Sequence, residues 1–183
     1  MRIMKMHPGV AIAIAFLAVF SPKADAHTQR RLPVSLALQA IEATIGACER
    51  SGHSVAVAVV NPDGIVQAEA RGDGSPIHSQ RFAYRKAYTV MSMGPMFSVS
   101  SSAELAETIT KSNPVGLSNI TAGQTELLFL PGGLLIERDG EAIAAIGVSG
   151  ASTSIQDEAC AKAGLDVISA HLDERVRNQG TLK

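Results

Sequence analysis

The chain has 183 residues, with 16 Lys and Arg against 17 Asp and Glu, for a formal net charge of −1. That length fits one domain, and the balanced, dispersed charge offers no electrostatic footprint for nucleic acid. With no Trp, 5 Phe and 2 Tyr, the core must be aliphatic.

The first segment reads as an export signal. Arg2 and Lys5 precede the apolar run Val10–Phe20, and Ala24-Asp25-Ala26 puts small residues where a signal peptidase reads. As a helix the run reaches only about 16 Å, short of the roughly 30 Å of a bilayer core. The expected division is a signal peptide over 1–26 and one α+β domain over 27–183. The mature protein is then periplasmic or secreted, with no stable membrane anchor after cleavage. Cys48 and Cys160 fall in the mature part. An oxidising compartment permits one disulfide between them, and buried free thiols are the other reading.

In chain order, Pro33 suits a first helical turn, and Leu36, Leu38, Ile41, Ile45 and Cys48 recur at helical spacing until Gly52. Ser54–Val60 reads as a buried strand, Asn61-Pro62-Asp63-Gly64 as a turn, and Ile65–Ala70 as the returning strand. A helix is expected from Ser79 to Ser92, broken by Gly94-Pro95. A shorter one, capped at Ser102, should end before Asn113-Pro114. Leu117–Gln124 reads as irregular, and Glu126–Leu130 as a strand leading to Pro131-Gly132-Gly133.

The stretch Pro131–Gly150 then holds two strand-like runs around Asp139-Gly140, a strong hairpin signal because a primed turn needs positive φ. Its second run, Ala142–Val148, is small or β-branched, as suits a central strand covered on both faces. A long helix capped by Ser152 or Ser154 closes the chain. The order is α-β-β-α-α-β-β-β-α, and its hairpins argue for an α+β fold with a five-stranded antiparallel sheet flanked by helices.

Several of these segments together resemble a known family. They are VAVAVVNPDG at Val55–Gly64, the Arg71-x-Asp73-Gly74-Ser75 loop, and Arg85-Lys86-Ala87-x-Thr89. The LFLPGG turn at Leu128–Gly133 and the run Ile143–Gly164 complete the set. They are similar to the GlcG/HbpS-like haem-binding family, which includes the C-terminal domain of PduO-type corrinoid adenosyltransferases. The resemblance spans the chain from about Pro33 to Ala170. It implies a five-stranded antiparallel sheet, homo-oligomers, and binding of haem or a related tetrapyrrole as the small-molecule ligand.

A haem needs an axial donor for iron and cations or N–H groups for its propionates. His78, at the mouth of the central helix after a Gly-rich loop, is the first choice as iron ligand; a solvated helix-start histidine is the plainer reading. Met93, within Met91-x-Met93-x-x-Met96, is a second soft metal ligand or else a core filler. Arg71 and Lys86 are candidates for propionates. Gly132 and Gly133 allow a pocket wall, or tight sheet packing instead. His53 and His171 read as turn and helix-end residues.

No nucleophile elbow, H-E-x-x-H, C-x-x-C or P-loop is present, and no catalytic constellation can be named. The reading is an exported haem- or tetrapyrrole-binding protein for storage, scavenging or sensing. The rival is an enzyme or accessory subunit acting on a small organic acid or corrinoid.

Overall fold

The computed structural model describes residues 30–179, with side chains as far as Leu172. The expected signal segment 1–26, with its cleavage site, lies outside the described residues. The elements are α1 (Val34–Arg50), β1 (Ala56–Val60), β2 (Val66–Arg71), α2 (Ser79–Phe97) and α3 (Ser102–Ser112). They continue with α4 (Gly116–Gly123), β3 (Gly133–Arg138), β4 (Glu141–Ser149) and α5 (Ser154–Gln179). The four strands pair antiparallel in the order β2-β1-β4-β3. The fold is mixed α/β, with helices on both faces of the sheet.

The two faces differ in side-chain size, and this sets how close each helix lies. Val57, Val59, Ile136, Ile146 and Val148 point to one face and form the main core with α1 and α5. Ala58, Ala145, Gly133 and Gly147 point to the other, where α2 lies. A methyl group at Gly147 would collide with the Ala83 carbonyl and stand 2.6 Å from Ala87 N. The small residues of β4 therefore form a trough in which the α2 backbone sits. The β3–β4 turn holds Asp139 at φ 54° and Gly140 at φ 76°, the paired positive values of a type I′ turn.

The expected sheet of five strands in the order α-β-β-α-α-β-β-β-α is corrected to four, with a helix, α4, where irregular chain is expected. Glu126–Leu130 is not a strand: Glu126 lies in a turn and Leu130 in a bend, and side chains take up backbone groups of the segment. Arg85 Nη2 donates to Leu127 O at 2.7 Å, Leu128 N donates to Thr89 Oγ1 at 2.7 Å, and Ser102 Oγ donates to Leu130 O at 2.6 Å. Leu127 and Phe129 turn inward on a separate cluster with Leu105 and Ile109. The alternation of a strand is real, but it faces helices.

Boundaries shift for related reasons. The helix α2 runs through Gly94-Pro95 and ends at Ser98 in the left-handed region, with Val99 N donating to Gly94 O at 3.1 Å. Gly94 is a close-packing residue, since a methyl group there would stand 2.9 Å from Val99 O. Ser101 rather than Ser102 caps α3, accepting from Glu104 N. Thr153 and Gln156 form a capping box at the start of α5.

Cys48 and Cys160 are joined as a disulfide that pins α1 to α5, with Cα atoms 5.5 Å apart. Among the described residues, no helix is long and apolar enough to cross a membrane.

Candidate functional site

Two groups of polar residues flank the N-terminal half of α2, one inside and one outside. The inner group is built on Lys86, which the close approach of α2 to the sheet forces into the interior at 1% exposure. A buried ammonium needs a counter-charge and full hydrogen bonding. Lys86 Nζ donates to Asp157 Oδ2 at 2.7 Å and to Val148 O at 3.0 Å. The other oxygen, Asp157 Oδ1, accepts from Ala151 N at 2.9 Å, and Glu158 Oε2 accepts from Gly132 N at 3.1 Å. Burial pushes the Lys86 ammonium below its ordinary range, and the facing Asp157 carboxylate opposes that push. The ion pair ties α2, the end of β4 and the start of α5 together.

Gly132 and Gly133 belong to this inner group. A methyl group on Gly132 would stand 3.1 Å from Lys86 Nζ, and one on Gly133 would collide with the Lys86 carbonyl. Gly132 also has φ 114°, which a side chain rarely tolerates. The sequence-selected residues Lys86, Gly132 and Gly133 are thus brought together. With its charge already taken by Asp157, Lys86 is not presented to a ligand carboxylate.

The outer group runs along α2 from its first residue. His78 is exposed at the helix N-cap, and its ring meets Phe82 edge-on with centroids 5.0 Å apart. The Arg85 guanidinium lies over the other end of this stripe, 5.7 Å from the Phe82 centroid, within cation–π range. Arg85 Nη2 is held by Leu127 O, while its Nε is buried without a partner. Arg81, one turn away, pairs with Glu126 at 3.1 Å. Ile77, 90% exposed, precedes the stripe.

The remaining selected residues stand apart. Arg71 turns into its own loop, with Nε donating to Ser75 Oγ at 3.0 Å and Nη2 donating to Ser75 O. Met93 is half-buried in the cluster with Leu105 and Phe129, where it packs as a filler. It lies about 22 Å along the helix from His78, so the two cannot share one iron.

Phe82, Arg85 and Asp157 are not among the residues that sequence reasoning selects. For the first two the signal is present, since 78, 82 and 85 are spaced i, i+4 and i+7 on one helical face. For Asp157 the need for a partner follows from a buried lysine, but no local pattern says which carboxylate supplies it.

Among the described residues, no group of three or more His, Cys, Asp or Glu side chains could hold a metal ion. Iron in a porphyrin makes no such demand, because the macrocycle supplies four nitrogens and the protein one or two axial donors. An exposed imidazole beside an aromatic ring, with a guanidinium 5.7 Å from that ring, fits that lesser requirement.

A layered α/β fold with such a stripe on its central helix is the class these features define. The chain belongs to the family described as "Haem degrading protein HbpS-like", whose model matches residues 32–166. Its function is haem-associated. The solved structure of HbpS is 33% identical, covering 82% of this chain and 99% of its own, with a TM-score of 0.70. A double mutant of Streptomyces reticuli HbpS is 32% identical over 88% and 99% of the two chains, at 0.67. A PduOC–haem complex at 23% identity covers 74% of this chain and 94% of its own, at 0.65, and shares the fold. No curated protein matches the chain.

Proposed function

We propose that the chain is an exported protein that binds haem on the exposed face of α2, for storage, scavenging or sensing. The single observation that carries the placement is the His78–Phe82–Arg85 stripe. His78 supplies a nitrogen to the iron, Phe82 and Ile77 supply apolar contact, and Arg85 supplies a directed cation for a propionate. Bound haem brings an iron centre capable of redox chemistry, and these residues hold it and choose its exposed face. Lys86 serves this site as a positioning residue, by fixing α2 against β4 and α5.

Export is part of the proposal. The signal-like segment at 1–26 supports it, and so does the Cys48–Cys160 bridge, since disulfides persist in oxidising compartments. Sequencing the N-terminus of protein recovered from the periplasm or medium tests it, with His27 as the expected first residue. Self-association is the second part. Val66, which opens the edge strand β2, and Ile65 just before it are exposed, which favours pairing with another copy. The near-zero net charge supports excluding nucleic acid as a partner.

The deciding experiment is a haemin titration of the mature protein, followed by absorbance in the Soret region, with His78→Ala and Arg85→Gln alongside. The expected result is saturable binding in wild type, a changed Soret position in His78→Ala and weaker binding in Arg85→Gln. Identical saturation in all three would remove the site while keeping the ligand. No saturable change in any of them would overturn the haem reading and favour a small organic acid or corrinoid.

A further inference from the structure

The two cysteines of the disulfide are not equivalently placed. Both cysteines are buried, Cys48 at 0% and Cys160 at 6% exposure, but Cys160 borders an open recess of about 310 Å³ between α1 and α5. That recess is lined by Ala47, Ser51, His53, Gln156, Cys160 and Ala163, and Cys48 is not part of its wall. A purely structural disulfide is shielded, while a labile one offers one sulfur to an attacking thiolate. Here the small alanine side chains leave room beside Cys160, and the rim carries a hydroxyl, an amide and an imidazole.

We propose that this recess is a docking site for a small thiol, and that the thiol opens the bridge by attacking Cys160. The thiol proton passes to the His53 imidazole, and the thiolate sulfur forms a new bond to Cys160 Sγ. The Cys48–Cys160 bond breaks with its electron pair leaving on Cys48 Sγ, which then takes up a proton. A second thiol attacks the outer sulfur of the adduct, releasing the small disulfide and leaving both cysteines as thiols. Two thiols are oxidised and one protein disulfide is reduced, so electrons and protons balance. The direction of attack follows from the recess, because Cys160 borders it and Cys48 does not, which makes Cys48 the leaving group. Ser51 and Gln156 suit the peptide-like amides of a small thiol such as glutathione. The site depends on nothing at the haem-binding stripe.

The test adds glutathione to the oxidised mature protein under native conditions, quenches with N-ethylmaleimide, and maps the adducts by peptide mass spectrometry. Glutathione is expected on the Cys160 peptide and maleimide on the Cys48 peptide. Adduct formation at neutral pH is expected to slow several-fold in His53→Gln, and also in Ala163→Leu, which fills the recess from α5. Far-UV circular dichroism shows that each variant is folded. Glutathione on Cys48, or no adduct until denaturant unfolds the chain, would overturn the proposal. Unchanged rates in both folded variants would equally overturn the recess as the docking site.

Discussion

Lys86 Nζ lies 2.7 Å from Asp157 Oδ2, and both side chains are in the interior. Desolvating two charges is costly, and their attraction offsets that cost only with close geometry and further hydrogen bonds to both groups. Here the remaining bonds go to Val148 O and Ala151 N. Breaking the pair from one side is therefore far worse than replacing both sides. Lys86→Met or Asp157→Ala is expected to lower unfolding free energy by about 3–5 kcal/mol. Lys86→Met combined with Asp157→Leu should lose much less than the sum. Urea denaturation of the three variants checks this, and strict additivity would contradict it.

The same burial gives a pH dependence. The Lys86 ammonium is held below its ordinary 10.5, chiefly by desolvation and against the pull of Asp157. The unfolded chain therefore binds this proton more tightly than the folded one, and stability rises with pH in that window. Below the folded value both states are protonated and the burial penalty is present in full. As pH climbs towards 10.5 the folded state sheds the proton first and the penalty fades. The stability of wild type relative to Lys86→Met should grow over that range, measured by denaturation at successive pH values. A difference that shrinks would reverse the sign of the argument.

Gly147 is where the sheet admits α2. An added methyl group meets the Ala83 carbonyl, Ala87 N and, at 3.0 Å, Ala87 Cβ. Two of these are rigid helix backbone, so the helix as a whole must move. Gly147→Ala should cost about 1–3 kcal/mol or more, and it should also displace the stripe carried by α2. Haemin affinity and thermal stability are expected to fall together in this variant. Loss of stability with unaltered affinity would show that the stripe does not depend on the trough.

Much of this was legible in the chain because local chemistry and tertiary context agree. The type I′ corner at Asp139-Gly140, the buried β1, and Gly52 ending α1 follow from turn chemistry and periodicity. The site was less legible, because Lys86 and Asp157 are 71 residues apart in sequence. Long-range pairing of that kind leaves no periodic trace. Gly132 and Gly133 read equally as pocket wall and packing residues until the close approach of Lys86 shows the packing. The segment before them misleads for another reason. Leu127 and Phe129 alternate with their neighbours as a strand would, and only their hydrogen-bond partners, three side chains on α2 and α3, distinguish a strap from a strand.

That strap carries the last prediction. Leu128 N depends on Thr89 Oγ1, which also donates to Arg85 O at 2.7 Å. Thr89→Val keeps the shape and removes the acceptor, leaving a part-buried N–H without a partner at a cost of about 1–3 kcal/mol. The loss is local, because the strap packs on its own cluster rather than on the sheet. Hydrogen exchange should show Leu128 and its neighbours in 124–130 exchanging faster, while amides of β1 and β4 keep their protection. Because Arg85 also holds this strap through Leu127 O, loosening it should release the guanidinium and change haemin affinity. Exchange that accelerates evenly across the sheet would instead mean that the strap and core open as one unit.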